Sequence, residues 1–123
     1  MWFDIAERAG ATEFTGYTAT TGEAQVVALV ANGQEVNVAH AGDNVSVIVN
    51  QTPFYGESGG QTGDAGMITG ADGLKLAVSD TAKPLGRLHA HNAVVEAGTI
   101  KVGDTVKVAA PGGDILFRIL EIK

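Results

Sequence analysis

Cysteine is absent from this chain of 123 residues, which excludes disulfides, thiolate nucleophiles and cysteine–zinc sites. Its absence also suits a reducing compartment. Basic residues are few. Eight Lys plus Arg face fourteen Asp plus Glu, a net charge of −6, and the cations are scattered with no cluster of even three. A free-standing nucleic-acid binder needs surplus cations to displace counterions from phosphates, so no autonomous nucleic-acid or membrane-surface binding is expected. Long apolar runs are also missing, since stretches such as Ala24–Ala31 fall far short of the ~20 residues of a bilayer span. The amino terminus, MWFDIAERAG, has neither a basic start nor an apolar signal core. Apolar residues nevertheless make up 45% and charged residues 18%, which excludes a disordered tail and supports one domain with a real core.

Glycine is in excess. Seventeen glycines are about twice the usual share of ~7%. They separate short β-rich runs, the pattern of an all-β sandwich or barrel with many turns. The candidate strands are Phe14–Ala19, Ala24–Ala31, Val45–Gln51, Gly66–Thr69, Leu74–Ser79, Arg87–Val95, Thr105–Ala109 and Ile115–Ile122. Asn32-Gly33 marks a tight hairpin, and Asp72-Gly73 offers a second turn. Ala110-Pro-Gly-Gly-Asp114 makes a third, with Pro fixing φ and the glycines accepting positive φ. Only Trp2–Ala9 reads as helical: Asp4 and Glu7 suit the helix dipole, and Gly10 is a natural stop. A helix this short is marginal alone, so it reads as the last turns of a helix that begins outside the chain. No internal repeat stands out.

The most distinctive stretch is Asn50–Gly66, NQTPFYGESGGQTGDAG, with five glycines in seventeen residues. Pro53 breaks a pairing ladder because it has no N–H to donate. Phe54 and Tyr55 supply large apolar bodies. Gly59-Gly60 can take backbone angles closed to other residues and lets another surface approach closely. Successive N–H groups there suit an anion nest. As a phosphate loop the segment fails on detail, because it lacks Gly-Lys-Ser/Thr and a following helix, and Glu57 and Asp64 would repel phosphate. Two readings remain from the residues alone: a tightly turned barrel loop, or a docking surface for a neighbouring domain.

Thr52-Pro-Phe-Tyr-Gly-Glu-Ser-Gly-Gly-Gln-Thr-Gly-Asp-Ala-Gly66 resembles the glycine-rich motif of alanyl-tRNA synthetases and the related free-standing editing proteins. That motif runs Thr-Pro-Phe-Tyr, a small residue, Glu-Ser-Gly-Gly-Gln, one variable position, then Gly-Asp, and every fixed position matches. Trp2-Phe3, Gly10-Ala-Thr-Glu-Phe14 and Gly16-Tyr17 are similar to the start of this region in bacterial synthetases. Glu96-Ala-Gly-Thr-Ile-Lys-Val-Gly-Asp104 resembles the turn before the last barrel strand. The resemblance implies a small antiparallel β-barrel like those of translation elongation factors, closed or partly open, lying between the aminoacylation and editing domains of a cytoplasmic enzyme. Residues 1–10 would be the end of a preceding helix and 11–123 a single barrel domain. Carried over, the role of helping to position mischarged Ser- or Gly-tRNA for editing falls on Glu57, Ser58, Gly59, Gly60, Gln61 and Gly63. The expected partners are the neighbouring synthetase domains and alanine tRNA. No cofactor is expected here. ATP, Mg²⁺ and Zn²⁺ would belong to other domains, since the chain has no class II ATP-binding core and no His-x-x-x-His with a later Cys-x-x-x-His.

The carboxyl end departs from this pattern. Instead of a Val-Asp-x-x-Arg-Arg-like continuation after Val108, residues 109–123 resemble the final hairpin of bacterial transcript-cleavage factors. The alternative reading is therefore a free-standing protein-interaction β-domain, related to transcription through that hairpin.

Other constellations are weaker. His89 and His91 would share one strand face and begin a metal site, but no third ligand is near in sequence and His40 is distant, so they read as structural. Asp43, Asp64 and Asp104 each follow a glycine and read as turn formers, leaving Asp80 outside any acid–base pair. A Ser58–His89–Asp80 triad lacks the strand–elbow–helix setting of a hydrolase nucleophile.

Overall fold

The structure, a computed structural model, describes residues 2–10, 12–14, 21–52, 65–82 and 88–109. These form a helix, α1 (Trp2–Ala9), followed by β1 (Glu13–Phe14), β2 (Thr21–Ala31), β3 (Gln34–Val36), β4 (Val38–His40), β5 (Asn44–Val49) and β6 (Gln51–Thr52). After the glycine-rich segment come β7 (Gly66–Thr69), β8 (Lys75–Ala82), β9 (Ala90–Ala97), β10 (Thr99–Lys101) and β11 (Thr105–Ala109). Six antiparallel strands run in the order β11–β7–β8–β9–β5–β2, and β2 pairs back onto β11, closing a barrel. Closure removes the exposed edges that an open sheet would present. No helix among the described residues is long and apolar enough to cross a membrane.

Strand β2 is long because its two halves have different partners. Thr21–Gln25 pair with β11, whereas Leu29–Ala31 pair with β3 through the Asn32-Gly33 turn. A register shift against β5 between Val26 and Ala28 resets the alternation. Ala24, Val26 and Leu29 therefore join the interior, beside Val45, Val47 and Val49 of β5, Leu76 and Val78 of β8, and Val106 and Val108 of β11. Ala28 and Val30 turn outward instead, where Ile5 and Ala6 of α1 cover them together with Ile48, Leu88 and Ala90. Each fully buried aliphatic side chain contributes roughly 1.5–3 kcal/mol of transfer free energy, which suffices to hold a helix too short to persist alone. The helix stops where expected: Gly10 takes φ +73 and donates its N–H to the Ala6 carbonyl at 2.9 Å.

Although the sequence shows no repeat, two turns are built alike. In His40–Asp43 and in Lys101–Asp104 the Asp carboxylate accepts the N–H three residues earlier, at 2.9 and 2.8 Å. Gly42 and Gly103 supply the positive φ, +95 and +97. Each turn also exchanges two backbone bonds with a barrel strand: Gly42 and Asp43 with Val95, Gly103 and Asp104 with Val26. The preceding strands, β4 and β10, pair with each other. Asp43 and Asp104 are thus the turn formers their sequence setting suggests. Asp104→Ala should cost about 1 kcal/mol, read as a lower urea midpoint. Asp104→Asn, which keeps the acceptor, should recover most of it; equal loss in both variants would refute the hydrogen-bonding role.

Several expectations shift in detail. Phe14–Ala19 is represented by β1 alone, because residues 15–20 lie outside the described residues. The strand expected over Arg87–Val95 is Ala90–Ala97, with residues 83–87 likewise outside. The strand expected to end at Ser79 runs on to Ala82, because a second register shift between Val78 and Asp80 hides its continuation. Strands β3, β4 and β10, three residues each, were not foreseen. The turn at 110–114 and the strand Ile115–Ile122 lie outside the described residues.

Candidate functional site

All the buried polar side chains among the described residues, those of Thr12, Thr52, Thr81, His89 and His91, gather at one end of the barrel. That end holds the close of β5, the close of β8 and the start of β9. The opposite end is capped by apolar Ala39, Leu74 and Ile100. The glycine-rich segment leaves from the polar end, directly after Thr52.

Thr52 Oγ1 lies 2.8 Å from His91 Nε2, and His91 Nδ1 lies 2.8 Å from the Val47 carbonyl oxygen. A carbonyl can only accept, so Nδ1 carries the ring hydrogen. Burial pushes His91 down from 6.5 to about 4, with the Val47 hydrogen bond opposing the shift and neighbouring His89 adding to it. The ring is therefore neutral at pH 7. Its Nε2 is an acceptor and takes the Thr52 hydroxyl proton as a hydrogen bond.

Thr12 ties three segments together. Its hydroxyl donates to the Val49 carbonyl at 3.2 Å and accepts the His89 N–H at 3.1 Å. Next to it, Glu13 donates its N–H to the Asn50 carbonyl at 3.0 Å, and β1 runs parallel to β6. The other edge of this corner is held by β2. Asn50 N–H donates to the Gln25 carbonyl at 3.1 Å, Asn50 Oδ1 accepts the Gln25 N–H at 2.9 Å, and Gln51 Nε2 donates to the Glu23 carbonyl at 2.9 Å.

His91, the best placed candidate for a metal or a proton transfer, has both nitrogens engaged within the protein. Among the described residues no three metal-capable side chains converge, and His40 sits on β4 with Nδ1 3.4 Å from Thr99 Oγ1. Asp80 pairs across to Asn92 in the β8–β9 ladder. Glu57, Ser58, Gly59, Gly60, Gln61, Gly63 and Asp64 lie outside the described residues. Sequence reasoning passed over Thr12 and Asn50 and gave Thr52 no role beyond its place in the motif. Their partners are 37, 25 and 39 positions away, and an isolated threonine carries no signal of such a bond.

Residues 2–111 match the profile of a family described as tRNA synthetases class II (A). The chain belongs to this family. Among class II (A) synthetases it is 68% identical over 108 residues to the alanine–tRNA ligase of Sphingopyxis alaskensis, covering 88% of this chain. It is 58% identical over 112 residues to that of Rhizorhabdus wittichii, covering 91%. It is 52% identical over 108 residues to that of Granulibacter bethesdensis, covering 88%. The chain spans only 12–13% of the length of these ligases. The family match ends at residue 111, leaving residues 112–123 beyond it, in keeping with a carboxyl end that departs from the synthetase pattern.

Proposed function

We propose that the chain is a β-barrel module of an alanyl-tRNA synthetase that has no catalytic centre of its own. It spaces the aminoacylation domain from the editing domain and offers the glycine-rich loop to the mischarged tRNA end. Glu57, Ser58, Gly59, Gly60, Gln61 and Gly63 are the contact residues in this reading, and ATP, Mg²⁺ and Zn²⁺ are handled by the other domains. Its partners are those domains and alanine tRNA. The supporting observation is the placement of the motif: Thr52, its first residue, is wholly buried on β6, which pairs with β1 beside the closed barrel, and is hydrogen-bonded to His91 of β9, so the loop starts from an anchored residue. Editing discriminates by testing the attached amino acid at a second site, and that test needs the tRNA end held steadily.

The module's few cations fit this division of labour, because its affinity for tRNA would come from the remaining domains. The experiment replaces Gly59 and Gly60 with Val in the full-length ligase. Hydrolysis of Ser-tRNA should fall about tenfold, the equivalent of one hydrogen bond to a charged group, while alanine charging stays intact. Unchanged hydrolysis in a folded variant would sink the editing role.

A further inference from the structure

We infer that Thr12 and His91 are positioning residues that hold the root of the glycine-rich loop in fixed register with the amino-terminal helix. This rests on the reading of that loop as a tRNA-facing element. Strand β6 has two residues and its partner β1 has two, too few for backbone pairing to define a position. Side chains define it instead. Thr52 is set by the neutral ring of His91, itself oriented from β5 through Val47. Thr12 stands two residues beyond Gly10, the stop of α1, and its hydroxyl joins the end of β5 to the residue before β9. Helix α1 is in turn seated on β2 and β5 through Ile5 and Ala6.

The choice of side chains supports positioning over simple filling. Valine would occupy the same volume as threonine, and the main core cluster, including the barrel's other end, is built from aliphatic side chains alone. Among the described residues, fully buried hydroxyl and imidazole groups appear only at the end that holds Thr52. Buried hydrogen bonds are directional and strong in a low dielectric, so they fix orientation where apolar contacts leave it free.

The test uses Thr52→Val, Thr52→Ser and Thr12→Val. In the ¹⁵N-histidine-labelled chain, Thr52→Val should move the His91 Nε2 resonance away from its hydrogen-bonded position, and Thr52→Ser should restore it. In the full-length ligase, Thr52→Val and Thr12→Val should each raise KM for Ser-tRNA hydrolysis about fivefold, with kcat little changed and Thr52→Ser close to the parent. An unmoved Nε2 resonance in Thr52→Val overturns the inference, and so does normal hydrolysis in both valine variants. If those variants are normal while Gly59→Val/Gly60→Val is impaired, the inference falls and the loop's editing role stands. If the Nε2 resonance moves but neither set affects hydrolysis, both fall.

Discussion

Between pH 7 and pH 4 the barrel should lose roughly 3 kcal/mol of stability through His91 alone. The imidazole titrates near 6.5 when unfolded and at about 4 when buried. Below pH 6.5 the unfolded chain therefore binds a proton that the folded chain refuses. The contribution is intact above pH 6.5, shrinks as pH falls toward 4, and is gone below that. A folded domain has only about 5–15 kcal/mol in hand, so the effect is large. Urea unfolding at several pH values measures it. His91→Gln should be weaker at pH 7, because the Val47 or Thr52 bond is compromised, yet show a shallower fall on acidification. Parallel curves for parent and variant would mean that His91 is not the residue that titrates.

Gly98→Val should be the most damaging single change outside the apolar interior. Gly98 adopts φ +80, and a Cβ built there would stand 2.9 Å from the Cα of Leu74 and 3.2 Å from its nitrogen. Both neighbours are main-chain atoms, so no rotamer change relieves the contact. Left-handed strain costs roughly 1–2 kcal/mol for a residue with a Cβ, and displacing the backbone around buried Leu74 should bring the total to about 3–4 kcal/mol. The melting temperature should drop by more than about 10 °C. Gly33→Ala is the control. Gly33 has φ +75 but nothing within 4 Å of an added Cβ, so it isolates the strain and should cost about 1 kcal/mol. Equal losses at the two positions would show that the Leu74 contact is unimportant.

How much of this was readable in the sequence depends on the range of the interaction. Local signals translated directly: Trp2–Ala9 is the helix, Asn32-Gly33 is a turn with φ +55 and +75, and Asp72-Gly73 is another with +57 and +78. Interactions between distant segments did not. Gln34–Val36 is mostly exposed and lacks alternation, so nothing marks it as a strand until the Asn-Gly turn folds it onto β2. Strands β4 and β10 exist because each finds the other. The register shifts in β2 and β8 break the period-two pattern on which strand recognition depends. For the site, His89 and His91 are both buried, but the expected shared strand face is not formed, because His89 precedes β9 and only His91 lies on it. The acceptor role of His91 was not foreseeable, because it follows from a carbonyl 44 positions away.

The seam that closes the barrel joins Thr21–Gln25 to Thr105–Ala109, residues from opposite ends of the described chain. Such non-local pairing makes high contact order and slow folding. During synthesis β2 and β5 can meet early, but the cylinder must wait open for β11, the last of its strands among the described residues. Until then the valine-lined inner surface has no lid of its own, and a nascent chain stalled before residue 105 should be prone to aggregate or to recruit chaperones.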